Sequence, residues 1–251
     1  MTAAPRRSVA LVSGSSRGLG AAIARRLARD GFAVAVNDLH GGPDALAVVE
    51  SIRGAGGVAE SVRADVTDEN QVVGLVAAVA GSLGPIEVLV VNATGPQPDV
   101  ALAEAGWDEH IAQLEFFVKS PVLLGRAVLP GMRAAGSGRI IQIDSEVVDR
   151  PTPGRSAYAT AKSAQIGLAR AWARELAPLG ITVNAVAPGF VPVERHDDVP
   201  AEVRRAYVDT VPAGRFGTPE DVAEAVSFFA SVGAGFITGQ RVVVDGGRGL
   251  G

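Results

Sequence analysis

Short apolar runs rich in valine and isoleucine alternate along this chain with longer stretches whose apolar residues recur at helical spacing. The runs Ser8–Ser13, Ala33–Asp38, Val58–Arg63, Val88–Asn92, Arg139–Asp144, Thr182–Ala187 and Arg241–Asp245 predict strands. Most carry apolar residues at consecutive positions, as expected of parallel strands covered on both faces. Leu19–Asp30, Pro43–Ala55, Asp68–Ser82, Trp107–Ala135, Ala157–Leu179 and Pro219–Ser231 predict the helices between them. Thr218-Pro219-Glu220-Asp221 opens the last helix with a capping hydroxyl, a proline in the first turn and two acids near the positive end of the dipole. Thr67-Asp68-Glu69 reads similarly. The alternation predicts one α/β domain over residues 1–251, with a doubly wound, seven-stranded parallel sheet and helices on both faces. Gly189 to Gly217 breaks the pattern, with Pro192, Pro200 and Pro212 around a short helical stretch, Ala201–Tyr207. A connection that long reads as a lid over a site.

Composition narrows the chemistry. Of 251 residues, 47% are hydrophobic, enough for a sizeable core. The net charge of −4, with both signs interspersed, lacks the basic face that nucleic-acid binding needs. Without cysteine, disulfides, thiolate catalysis and Cys-ligated metals are excluded. The three histidines, His40, His110 and His196, stand far apart, and no metal site is expected. Arg6 and Arg7 in the stretch Met1–Ser8 lead into a strand rather than a signal-peptide cleavage site. The run Val9–Val12 is far too short to cross a bilayer. The expectation is a soluble cytoplasmic protein.

Two segments carry chemistry. Ser13-Gly14-Ser15-Ser16-Arg17-Gly18-Leu19-Gly20 follows the first strand and opens the first helix. Glycines spaced Gly-x-x-x-Gly-x-Gly permit a tight turn and close approach of a pyrophosphate to backbone N–H groups at a helix start. A glycine turn alone is often only a turn; between strand and helix it points to a dinucleotide. Further on, Tyr158 and Lys162 stand four residues apart, with Ser145 thirteen residues before the tyrosine. Positions i and i+4 share a helix face, so the ammonium can lie beside the phenol. A free phenol titrates near pH 10, and a neighbouring cation favours its ionised form. With a serine hydroxyl to hold the oxygen, the trio can move a proton to or from a carbonyl. In isolation such a pair is an ordinary helix surface; the glycine loop changes that reading.

Together with Asp65-Val66, Asn92-Ala93, Pro188-Gly189 and Asp245-Gly246-Gly247, these segments resemble the classical short-chain dehydrogenase/reductases, in order and over essentially the whole chain. Within that family the chain resembles 3-oxoacyl-carrier-protein reductase-like members. The resemblance implies a Rossmann fold and hydride transfer between nicotinamide and a secondary alcohol or ketone. It gives Tyr158 the acid/base role, Lys162 the tuning of that phenol and a contact to the nicotinamide ribose, and Ser145 the substrate oxygen. Gly14, Ser16, Arg17, Gly18, Leu19 and Gly20 would hold the pyrophosphate. Asp65 and Val66 would face the adenine, Asn92 and Ala93 would brace the central strands, and Pro188, Gly189 and Val191 would border the nicotinamide. Asp38 ends the second strand eighteen residues after Gly20. A carboxylate there binds ribose hydroxyls and repels a 2′-phosphate, favouring NAD. Arg17 keeps NADP open, because a basic residue in this loop accompanies NADP in many relatives. Relatives also pair through their long helices, which implies a homodimer or homotetramer.

Three positions depart from the family pattern. Phe117 stands where relatives place an asparagine that binds a water beside the lysine, with Gln113 as the alternative source of an amide. The stretch from Trp107 to Phe117 is also about three residues longer than usual. Thr94 follows Asn92-Ala93 where relatives have glycine. Val193 replaces a threonine that contacts the cofactor. Asp144, Glu146 and Asp149 flank Ser145, either to bind a cationic or polyhydroxylated substrate or as solvated loop charges. Phe116, Phe117 and Trp172 read as packing residues. The alternative to an oxidoreductase is a protein of the same fold that binds the cofactor, or senses its redox state, with little or no turnover.

Overall fold

The computed structural model describes residues 7–196 and 198–250. The reading of the N-terminal stretch as far as Arg6 lies outside the described residues. Seven strands form one parallel sheet: β1 (Val9–Val12), β2 (Ala33–Asp38), β3 (Val58–Arg63), β4 (Ile86–Val91), β5 (Gly138–Ile143), β6 (Ile181–Pro188) and β7 (Arg241–Val244). Their order is β3-β2-β1-β4-β5-β6-β7. The chain therefore winds outward in both directions from β1 and β4. Such a switch point opens a crevice at the carboxyl ends of the strands.

Helices α1 (Gly18–Arg29), α2 (Pro43–Gly54) and α8 (Pro219–Ala230) cover one face. Helices α3 (Glu69–Ser82), α5 (Ser120–Ala135) and α6 (Ser156–Leu176) cover the other, preceded by α4 (Trp107–Leu114). Val9, Ala10, Leu11 and Val12 are all fully buried, because alternate residues of β1 enter the two cores. No helix among the described residues is long and apolar enough to cross a membrane. A short helix, α7 (Ala201–Val208), lies within the segment expected to be a lid.

The expected helix Trp107–Ala135 is interrupted by a π turn at Glu115–Lys119. Pro121 has no N–H and cannot donate to the carbonyl four residues back, at Phe117, so the α-helical ladder loses a bond at this point. A π turn accommodates an extra residue here and buries the Phe117 side chain. Trp172 packs as expected: a Cβ at Gly125 on α5 would come within 2.8 Å of its ring.

The start of α8 follows the sequence reading closely. Asp221 N–H donates to the Thr218 hydroxyl at 3.2 Å, and Thr218 N–H donates to the Asp221 carboxylate at 2.8 Å. Arg215 donates to both Asp221 oxygens, at 2.6 and 3.0 Å. The Arg215 bonds and the Thr218 amide hold the Asp221 carboxyl well below its ordinary 3.8. A carboxyl depressed by folding contributes stability above its unfolded pKa and loses it as the pH falls. Asp221→Asn should therefore lower unfolding free energy at pH 7 by about 1 kcal/mol. The difference from wild type should shrink in urea titrations as the pH falls below the ordinary 3.8 of the carboxyl.

Candidate active site

The glycine loop is built by close approach. Gly14 and Gly18 have φ of 60° and 52°, conformations that glycine tolerates without strain. A Cβ on Gly14 would lie 2.7 Å from the Ala93 backbone, and one on Gly20 would lie 2.3 Å from the Gly14 carbonyl oxygen. The turn therefore packs onto the end of β4 and leads into α1, whose start carries no side-chain cap. Asn92 locks it, donating from Nδ2 to the carbonyls of Ser13 and Gly14 at 3.0 and 2.9 Å. The Ser13 hydroxyl accepts from the amides of Asn92 and Ala93. A cleft of about 650 Å³ borders the loop, lined in part by Ser16, Arg17, Gly18, Pro192, Val193 and Glu194. This cradle, with a helix start and no Cβ in the way, fits a dinucleotide pyrophosphate.

Asp38 lies beside the loop. Its Oδ1 accepts from the Ser16 hydroxyl at 2.9 Å, and its Oδ2 accepts from the amides of His40, Gly41 and Gly42. Burial alone would raise this carboxyl, but the bonds from Ser16 and the three amides outweigh it and hold the group below its ordinary value. Arg17 is exposed at the start of α1. Asp65 accepts from the amide and hydroxyl of Thr67 at 2.8 and 2.7 Å, and Val66 is buried. Leu19 is half-buried against the core. At the end of β6, Pro188 and Val191 are buried, and the Gly189 amide donates to Val244 O at 3.0 Å.

Tyr158 and Lys162 both lie on α6, and the Lys162 Nζ stands 5.9 Å from the centre of the Tyr158 ring. Lys162 is 4% exposed, so its charge is compensated by the protein. It donates to Ile143 O at 2.6 Å and Gln165 Oε1 at 3.0 Å, and sits 4.0 Å from the centre of the Phe117 ring. Phe117 also meets Tyr158 edge-on, with centroids 5.3 Å apart. Gln113 instead gives its amide to Pro96 O at 2.9 Å and lines a small pocket with Tyr158. Ser145 follows β5 and caps a short 3-10 turn, its Oγ accepting from Val147 N–H at 3.2 Å. With its lone pair so engaged, the hydroxyl proton is available to an incoming oxygen. The bond from Lys162 to Ile143 O ties α6 to the strand end that carries Ser145.

Of the acids around Ser145, Asp144 and Glu146 are enclosed in ion pairs, whereas Asp149 is paired but exposed. Asp144 and Asp149 accept from Arg241 at 2.5 and 2.6 Å. Glu146 accepts from Tyr207 Oη at 2.9 Å and pairs with Arg248 at 3.1 Å. Tyr207 belongs to α7 and accepts from Phe190 N–H at 2.6 Å, its ring stacked on Phe216. Burial, with the Glu146 charge, pushes the Tyr207 phenol up to about 12. Tyr207 and Phe190 of segment 189–217 are thus tied to Glu146, next to Ser145.

A family model described as enoyl-(acyl carrier protein) reductase matches residues 14–248. The chain is 40% identical to cis-4-hydroxycyclohexanecarboxylate dehydrogenase of Sinomonas cyclohexanicum, over 95% of each chain. It is 38% identical to a 3-oxoacyl-(acyl-carrier-protein) reductase of Staphylococcus aureus, over 95% of this chain and 96% of that one. This chain belongs to the short-chain dehydrogenase/reductase family. Among solved structures, a gluconate 5-dehydrogenase from Burkholderia cenocepacia, in complex with NADP and tartrate, aligns with a TM-score of 0.91 at 30% identity, over 97% of this chain and 96% of that one. A Serratia marcescens short-chain dehydrogenase/reductase mutant aligns at 0.90 and 35% identity, over 98% and 100%. As a short-chain dehydrogenase/reductase, the protein is an NAD(P)-dependent oxidoreductase of CH–OH and C=O groups.

Residue-by-residue reading of this short-chain dehydrogenase/reductase missed several supports of the site. Asn37, buried in β2, accepts from the Gly14 amide at 3.2 Å and donates to Val62 O and Ala64 O. A polar residue amid apolar strand positions was a readable signal there. Gln165 carried none, since a glutamine on a long helix is ordinary. The glycine cradle is directly testable. Gly20→Ala should weaken dinucleotide binding by at least about tenfold, because its methyl displaces the Gly14 carbonyl. Titration by quenching of tryptophan fluorescence checks this, and unchanged affinity would place the pyrophosphate elsewhere.

Proposed function

We propose that the protein moves hydride between nicotinamide and a secondary alcohol or ketone, with Ser145, Tyr158 and Lys162 as its proton-handling set. The observation that carries this reading is the buried Lys162 ammonium 5.9 Å from the Tyr158 ring, on one face of α6. Bound nicotinamide supplies or accepts the hydride. Tyr158 donates its proton to the developing alkoxide in reduction and, as phenolate, takes the alcohol proton in oxidation. Lys162 favours the phenolate through space and reaches the nicotinamide ribose. Ser145 donates its hydroxyl proton to the substrate oxygen and so fixes where the charge develops. Gly14, Ser16, Arg17, Gly18, Leu19 and Gly20 hold the pyrophosphate, Asp65 and Val66 the adenine end, and Asn92, Ala93, Pro188, Gly189 and Val191 the nicotinamide end.

NAD is the proposed cofactor. The Asp38 carboxylate, kept ionised by four hydrogen bonds, opposes a 2′-phosphate. The likeness to an NADP-bound gluconate 5-dehydrogenase, and Arg17, support the alternative. Segment 189–217 forms the lid of a single domain spanning 1–251. A homodimer or homotetramer belongs to the same reading, supported by exposed Trp107 and Ile111 on α4 and by Phe228, Phe236, Val242 and Val243 near the edge strand β7. A cytoplasmic location fits dependence on a dinucleotide pool.

A panel of NADH and NADPH against 4-oxocyclohexanecarboxylate, an acetoacetyl thioester and simple ketones, followed by cofactor absorbance, tests the activity. Tyr158→Phe should abolish turnover and leave NADH affinity within about twofold, since the ring stays and the proton goes. Full activity in that variant would sink the mechanism, and tight NADH binding with no turnover of any ketone would favour a sensor. Separately, Asp38→Ser should improve NADPH affinity relative to NADH by about tenfold through loss of repulsion; an unchanged ratio would remove Asp38 from cofactor selection.

A further inference from the structure

Arg241 stands on the edge strand β7, 14% exposed at its side chain. It is in register with Ala185 on β6, which is in register with Gln142 on β5. Side chains alternate along strands, so Arg241, Ala185, Gln142 and Asp144 share one face of the sheet. The alanines at 185 and 187 leave that face of β6 low, and the guanidinium crosses it to the end of β5. There its donors are divided three ways: Nε to Asp144 Oδ2 at 2.5 Å, one terminal nitrogen to Asp149 Oδ2 at 2.6 Å, the other to the Ser145 carbonyl at 2.8 Å. The Asp144 side chain is 1% exposed.

We propose that Arg241 is a positioning residue for Ser145, and that buried Asp144 couples this clamp to the Lys162 ammonium. The inference rests on the roles proposed above for Ser145, Tyr158 and Lys162. A planar fork reaching residues 144, 145 and 149 fixes both sides of the turn that presents the Ser145 hydroxyl. Small errors in such placement are costly to turnover. Lys162 from α6 donates to the carbonyl of Ile143, the residue before Asp144, and Arg241 from β7 donates to Asp144 itself, with Asp149 sharing the same guanidinium. Burial pushes the Asp144 carboxyl up, against the pull of Lys162 and Arg241. Charges then run from Arg241 to Asp144 to Lys162 to the Tyr158 phenol with alternating sign.

Two variants separate the two halves of the proposal. Arg241→Lys keeps the charge and loses the fork. It should lower kcat by on the order of tenfold, with NADH affinity within about twofold of wild type. Asp144→Asn removes a negative charge that opposes the phenolate, so the Tyr158 phenol should ionise at lower pH. The chain has two tyrosines. Tyr207 is pushed up to about 12, which sets its near-ultraviolet phenolate transition apart, and the other transition is assigned to Tyr158. Its loss in Tyr158→Phe verifies that assignment, and the titration needs no substrate. The double variant Asp144→Asn with Arg241→Gln removes both partners of the Arg241–Asp144 ion pair together, so it reports on the fork even where a single variant folds poorly; it too should lose kcat. Wild-type kcat in Arg241→Lys or in the double variant overturns the clamp. An unmoved phenolate transition in Asp144→Asn overturns the coupling. Activity surviving in Tyr158→Phe removes instead the reading on which both rest.

Discussion

An ammonium group buried beneath the ends of parallel strands has to be solvated by the protein itself, and the site is organised around that requirement. Lys162 is offered a backbone carbonyl from Ile143, an amide oxygen from Gln165 and the face of the Phe117 ring. Each comes from a different place: the end of β5, one turn along α6, and the π turn before α5. A desolvated cation is strongly disfavoured without such partners, whereas a cation–π contact gains strength when water is excluded. An aromatic ring thus takes one side of the cation, and Gln165 supplies an amide oxygen from the lysine's own helix.

The parallel sheet supplies the rest of the geometry. Its switch point between β1 and β4 brings the Ser13–Gly20 turn against Asn92 and Ala93, and the Gly20 contact with the Gly14 carbonyl leaves no room for a side chain. Strand β5, next to β4, delivers Ser145, and α6 returns Tyr158 and Lys162 toward the same edge. The outer strand β7 then contributes a guanidinium that reaches across β6 to the Ser145 turn. Placement of three polar side chains thus depends on strands spread across half of the sheet.

Much of this was legible in the sequence, for identifiable reasons. Strand and helix positions follow from apolar runs and helical spacing, and the ends differ by only a residue or two where capping residues such as Thr218 mark them. The break in Trp107–Ala135 was not read, because a π turn has the composition of an α-helix; Pro121 and the extra length before Phe117 were its marks. The glycine loop and the Tyr158–Lys162 pair are local patterns, so spacing reveals them. Arg241 lies 96 residues from Ser145 along the chain. No spacing rule links them, and only strand order and register do. The acids at 144, 146 and 149 were visible as charges, but their engagement by Arg241, Tyr207 and Arg248 belongs to tertiary structure.

Asp38 shows how one local constraint can serve two ends. Its carboxylate closes the turn after β2, accepting from three amides, and it reaches back to Ser16 in the glycine loop. Those same bonds keep it ionised and fix its position. A carboxylate on a free side chain can rotate away from an approaching phosphate at little cost. One held by four donors gives up four hydrogen bonds when it moves. The proposed preference for NAD therefore follows from the turn as much as from the charge. Arg17, exposed at the helix start, has no comparable tether among the described residues, and its long side chain can point to solvent whichever dinucleotide is bound.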